Sequence, residues 1–251
     1  MNHHLNDQRQ LHWEGCLNVR DLGGLPAANG RTTAWQAVIR ADTLGRLTPA
    51  GQQALRDYGV GSIIDLRAPS EVQKYPTVYS RQPDADGPAY LNLPLESYQP
   101  HVSALISKAT SRGEVYCIIL DHYPQEMAHV LRAIMAAPPG AIVIHCHSGT
   151  DRTGMVAALL LSLAGVPADI IAADYGQSRL HLHAYYEKIA AEAGGADKVI
   201  SFWGRPTATK EMMTMMLDHI ATRYGNTAAY LDKSGLSAQE IEQVRQRLWT
   251  P

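Results

Sequence analysis

The run AIVIHCHSGTDRTG, residues 141–154, sets Cys146 between two histidines and places an arginine six positions later. An apolar strand precedes this loop and an apolar helix follows it. A helix N-terminus offers an anion unpaired N–H groups and partial positive charge. Gly149 lets the loop curl, so that the amides of His147, Ser148, Gly149, Thr150, Asp151 and Arg152 form a nest for a tetrahedral oxyanion. Arg152 can close the nest with a two-pronged guanidinium contact that a lysine cannot match. Cys146 then lies at the bottom of the bowl, where the helix dipole and Arg152 favour its thiolate. A thiolate aimed at a bound phosphate monoester can attack phosphorus and form a phosphocysteine.

Departure of the alcohol or phenol requires a proton, and hydrolysis of the phosphocysteine requires a base for water. Asp151, inside the loop, is the first candidate. Asp65, closing the strand SIIDLR, is the second, with a structural pairing to Arg67 as its alternative. Asp121 is third and reads better as a helix cap before Pro124. His145 is expected to support the loop by hydrogen bonding and His147 to point outward. Three adjacent residues on a strand end cannot converge on one tetrahedral ion, so His145-Cys146-His147 predicts no metal site. No cofactor is expected.

The elements that must hold the loop alternate along the chain. Thr48-Pro49 starts a helix that ends near Gly59, and residues 60–66 form a short buried strand. Residues 124–137 form a helix with Met127, Val130, Leu131 and Ile134 on one face, closed by Pro138-Pro139-Gly140. Residues 141–144 form a second strand, and a helix over 153–163 stops at Gly165. Another helix carries Ile170, Ile171 and Asp174. The C-terminal third is helical, with Met212, Met215, Met216 and His219 read as a core stripe. Alternation of this kind predicts an α/β fold, a central mostly parallel sheet flanked by helices. Sites in such sheets lie at the carboxyl ends of strands, where this loop falls. One domain over 1–251 is expected, with 1–16 as an N-terminal extension.

The composition excludes several classes of function. The chain has 251 residues, 45% of them hydrophobic and 18% charged, with a formal net charge of −2. No block of like charge suggests nucleic acid or an electrostatic membrane anchor. The N-terminus has no apolar core of a signal peptide, and no apolar run is long enough to span a bilayer. Three widely spaced cysteines imply no disulfide framework, so a cytoplasmic location is expected.

His145-Cys146, five residues, then Arg152-Thr153-Gly154 resembles the signature loop of the cysteine-dependent protein tyrosine phosphatases. The stretches LNVRDLGGL (17–25) and IRADTLGRLTPAGQQALRDYGVGSIIDLR (39–67) resemble the N-terminal half of an atypical bacterial tyrosine phosphatase family. That family includes secreted enzymes of intracellular pathogens active on phosphotyrosine and phosphoinositides. IIAADYGQS (170–178) and RYGNTAAYLDKSGLS (223–237) fit the same pattern, so the resemblance runs from about residue 17 to 248. It implies a tyrosine phosphatase-like fold, an aspartate at position 151 as proton carrier, and a phosphotyrosine protein or another phosphate monoester as partner. The WPD loop of the better-known enzymes is missing. Many relatives carry lysine at the position of Thr150, which makes inositol-lipid activity the less expected one. They also show SN where this chain has Ser178-Arg179, so Arg179 inherits no role.

Family members can cover the site with helices, and residues 180–210 would supply such a lid, hinged at Gly194-Gly195 with Phe202 and Trp203 on its rim. Plain core packing is the alternative. In NVRDLGG, Arg20 and Asp21 read as an ion pair and Gly23-Gly24 as a turn. Two rival functions are a phospho-ligand binding module and a rhodanese-like sulfurtransferase. Broad-specificity or phosphoinositide hydrolysis by the same mechanism is the nearer alternative. The oligomeric state is not encoded in any feature of the sequence.

Overall fold

The computed structural model describes residues 7–81, 87–96, 99–192 and 208–249. Its centre is a five-stranded sheet of β1 (Arg20–Asp21), β2 (Val38–Ala41), β3 (Val60–Asp65), β4 (Ala89–Asn92) and β5 (Ala141–His145). The spatial order is β1-β2-β5-β3-β4; β1 is antiparallel to β2 and every other pair is parallel. The middle strand, β5, is buried along its whole length, as a strand covered on both faces must be. Side chains alternate across a sheet. Ile142 and Ile144 accordingly join the larger core, while Ala141 and Val143 join a smaller one with Trp13, Ile39, Leu55 and Ile63.

The register sets the site. Ala41 pairs with His145, His145 with Asp65, and Asp65 with Asn92, so four parallel strands finish at one level. Cys146 is the next residue at the centre of that edge.

Helix α1 (Pro49–Asp57) starts as expected, with the Thr48 hydroxyl accepting from Gly51 N–H and a proline in its first turn. Two short helices, α2 (Pro69–Lys74) and α3 (Val78–Arg81), lead towards β4. The half-exposed strand β4 lies at the sheet edge. Then come α4 (Pro100–Ile106), α5 (Arg112–His122) and α6 (Pro124–Ala136), the last with the expected buried face of Met127, Val130, Leu131 and Ile134. Helix α7 (Asp151–Leu163) begins two residues earlier than the sequence suggested. Beyond its first turn it is apolar nearly all round, because it is enclosed by β2, β5 and four other helices: α8 (Ala168–Glu192), α9 (Lys210–Tyr224), α10 (Thr227–Lys233) and α11 (Ala238–Leu248). Helix α9 also packs on α5 and α8.

Two expectations need correcting. The buried stripe of α9 is Met213, Met216, Leu217 and Ile220, whereas Met215 is exposed and His219 half-buried. The sulfur-rich run KEMMTMM offers two overlapping helical registers, and packing on α5 and α8 selects the other one. Residues 9–16 are no loose extension, because Arg9 and Trp13 are buried. Of the expected helical lid, residues 180–192 are the last part of α8, and 193–207, with Gly194, Gly195, Phe202 and Trp203, lie outside the described residues. No helix among the described residues is long and apolar enough to cross a membrane.

Candidate active site

The loop after β5 is held by its carbonyls. Thr43 N–H donates to His147 O at 2.9 Å, Asn18 Nδ2 to Ser148 O at 3.0 Å, and Arg40 Nη2 to Gly149 O at 2.8 Å. Gly149 has φ +67°, and a Cβ there would fall 2.4 Å from the Ala41 carbonyl oxygen. Only glycine lets the loop press this closely on the end of β2. With the carbonyls drawn away, the amides of residues 147–150 donate to no backbone carbonyl among the described residues. Buried amides without partners are costly unless an anion or water meets them.

Cys146, His147, Ser148, Asp151 and Arg152 line one cleft of about 430 Å³. The α8 segment bearing Leu182, Tyr185, Tyr186 and Ile189 lines it too, and Arg46, Glu71 and Glu96 complete it. Cys146 is 2% exposed. Gly149 and Thr150 do not line the cleft, and the Thr150 side chain is buried behind it.

Arg152 is clamped by Glu71 of α2, with Nη1 2.5 Å from Oε2 and Nη2 2.9 Å from Oε1. Burial works against the Arg152 charge, but the Glu71 pair outweighs it and raises its pKa. For Glu71, burial pushes the carboxyl up, and Arg152 more than offsets this to hold it below the usual range. The same carboxylate accepts from Ala68 N–H at 2.9 Å and so caps its own helix. Asp151 is also buried; its Oδ1 accepts from Tyr116 Oη at 2.5 Å and lies 3.4 Å from Arg112 Nη1. Tyr116 in turn shares a hydrogen bond with Tyr175 at 2.6 Å. Helices α7 and α8 touch here because residue 154 is glycine; a Cβ would meet the Tyr175 ring at 2.9 Å.

The two histidines beside the cysteine diverge. His145 is fully buried, and burial lowers its pKa; its Nε2 is 3.5 Å from Asp65. The His147 ring tilts against Tyr75 with centroids 5.7 Å apart. Among the described residues, no three His, Cys, Asp or Glu side chains gather in a way that could hold a metal ion.

Asp65 does not line the cleft. It is fully buried, paired with Arg67 at 2.6 Å, and accepts from Tyr90 Oη at 2.8 Å. Burial opposes its ionisation, but His145 and the Arg67 pair together hold its carboxyl below the usual range. The structure thus gives the pairing that the sequence left as the alternative. Asp121 is no cap either. It lies inside α5 and accepts from Tyr224 Oη at 2.6 Å, with His219 at 2.9 Å.

Arg20 and Asp21 do not pair with each other, because neighbours on a strand point to opposite faces. Instead Arg9, Arg20 and Arg40 converge on Asp174 at 2.5, 3.0 and 2.7 Å. Burial would raise the Asp174 carboxyl, but three guanidinium groups hold it well below the usual range. Arg20 is lowered to about 9, by burial first and Arg40 second. Arg40 thus joins this buried cluster to the loop at Gly149. Sequence reasoning missed Glu71, Glu96, Arg46, Arg112 and Tyr116. The one available signal was position, since Glu71 follows the carboxyl end of β3, next to β5.

A family model described as "tyrosine phosphatase family" matches residues 11–250. A tyrosine-protein phosphatase of Nostoc commune is 32% identical over 231 residues, covering 89% of this chain and 78% of that protein. The triple specificity protein phosphatase PtpB of Mycobacterium tuberculosis is 26% identical over 274 residues, covering 92% of this chain and 96% of that one. With this match over nearly its whole length, and a cysteine and an arginine meeting in one cleft at the carboxyl edge of its sheet, the chain belongs to the tyrosine phosphatase family.

Proposed function

We propose that this phosphatase hydrolyses phosphate monoesters, protein phosphotyrosine foremost, through a phosphocysteine on Cys146. The amides of the loop after Cys146 and the Arg152 guanidinium bind the phosphate oxygens. The Cys146 thiolate attacks phosphorus; the S–P bond forms as the P–O bond to the leaving group breaks. Asp151 gives its proton to the departing oxygen. Water then attacks phosphorus and loses a proton to the Asp151 carboxylate, and the S–P bond breaks to return the thiolate and free phosphate. The observation that carries this reading is the meeting of Cys146, Asp151 and Arg152 in one cleft. Tyrosine ester specificity draws support from the α8 residues of the cleft, where Leu182, Tyr185, Tyr186 and Ile189 offer an aryl ring apolar contact. We assign no proton-transfer role to Asp65.

The test is phosphate release from phosphotyrosine, phosphoserine and phosphothreonine peptides and from phosphoinositides, with chelator present. The relative called a triple specificity phosphatase makes the wider panel necessary. Thr150 brings no positive charge, and the further guanidinium at the cleft, Arg46, is tied to Asp42 at 2.5 Å. The expected order is therefore phosphotyrosine first and phosphoinositides last. Turnover that survives Cys146→Ser within about tenfold would end the mechanism. Preference for another ester would keep the mechanism and change the substrate.

A further inference from the structure

Each of the other carboxylates around the cleft has a guanidinium of its own. Glu71 takes both ends of Arg152, Asp151 has Arg112 at 3.4 Å, and Asp42 holds Arg46 at 2.5 Å. Glu96 lines the same cleft from the segment after β4, partly buried. Among the described residues its carboxyl makes no ion pair and no hydrogen bond. It stands in the same cleft as the cysteine and the arginine, and no guanidinium or ammonium among the described residues is paired with it.

An ionised carboxylate in that position would repel a phosphate dianion. A neutral carboxyl instead offers an O–H donor to a phosphate oxygen. The surroundings favour the neutral form. Burial raises the pKa of Glu96; Arg152 pulls it down, while Asp151 and Glu71 push it further up. Tyr123, at the junction of α5 and α6, also faces it. The remaining titratable groups of the cleft are Arg46, Cys146, His147, Tyr185 and Tyr186, and none of them bonds to Glu96.

We propose that Glu96 is a substrate-binding residue, a protonated carboxyl that donates a hydrogen bond to the bound phosphoryl group and whose ionisation closes the cleft to phosphate. It rests on the phosphocysteine reading above. The sign follows from the chemistry. Below its titration Glu96 is neutral and aids binding; as pH rises through it, the new charge opposes binding.

The experiment compares kcat/KM on a phosphotyrosine peptide for wild type, Glu96→Gln and Glu96→Ala, from about pH 5 to about pH 8. The ratio of variant to wild type at each pH cancels the titration of the substrate. Gln keeps a donor but cannot ionise, so its ratio should rise about fivefold or more towards alkaline pH. Ala keeps no donor and should stay about tenfold below Gln throughout. A Gln ratio flat within about twofold, or an Ala variant equal to Gln, overturns the proposal.

Wild type alone gives a second reading that needs no variant to fold. Sulfate, whose charge is constant over this range, should weaken as a competitive inhibitor by about fivefold towards alkaline pH, and a constant Ki contradicts the proposal. Turnover that survives in Cys146→Ser would end the phosphocysteine reading whatever Glu96 does. Cys146-dependent turnover with a flat Gln ratio ends only the assignment of Glu96.

Discussion

Arg152 is useful to a phosphate only while its guanidinium plane is fixed, and Glu71 fixes it through two contacts from a different helix. Glu71→Gln keeps the shape and removes the charge. We expect kcat/KM to fall about tenfold, mostly through KM, in steady-state assays on a phosphotyrosine peptide. An unchanged KM would mean that Arg152 is oriented by something else. Asp151→Asn should slow esters of poor leaving groups far more than activated aryl phosphates, because only the former need the proton. Equal losses for both would remove Asp151 from proton transfer. Asp65 belongs to stability instead. Asp65→Asn leaves Arg67 buried without its carboxylate and should cost about 3 kcal/mol in denaturant titrations. Because Asp65 is depressed in the folded state, its contribution is present above the unfolded carboxylate pKa of about 4 and is lost as pH falls through the lower folded value. The gap between wild type and variant should therefore narrow in acid; a gap constant down to about pH 2 would contradict this.

At the scale of elements, the strand–loop–helix at 141–163 could be read directly, because a short apolar run, a glycine loop and a long apolar run have few other ways to fold. The surroundings of the two candidate aspartates could not be read that way. Asp65 and Asp151 both sit at the end of an element, and only the register of β3 beside β5, with Arg67 turned onto Asp65, separates them. The stripe of α9 was misread for a similar reason, since local periodicity is satisfied by Met212 and Met213 alike. Gly149 is where sequence and geometry agree most closely. Gly149→Ala meets both a positive φ and the Ala41 carbonyl, so the loop must move. We expect a loss of activity of more than about a hundredfold, with a stability cost of about 1–3 kcal/mol. Near-native activity would show that the loop's close approach to β2 is dispensable.

Across the whole molecule, the loop is supported by contacts that no local pattern reveals. Arg9 and Asp174 are 165 positions apart, and Arg20 and Arg40 reach the same carboxylate from two strands. Such a cluster arises only when the N-terminal segment, the sheet and α8 are assembled, which is why Arg20 and Asp21 looked like partners in the sequence. Through Arg40 Nη2 on Gly149 O, the cluster also braces the loop. The central claim is covalent chemistry at Cys146, and trapping tests it most directly. Enzyme mixed with a phosphotyrosine peptide and quenched in acid within a turnover should carry one phosphoryl group on Cys146 by peptide mass analysis, and Cys146→Ser should release no phosphate. Phosphate release with no phosphoryl group on Cys146, sustained in the serine variant, would contradict the account.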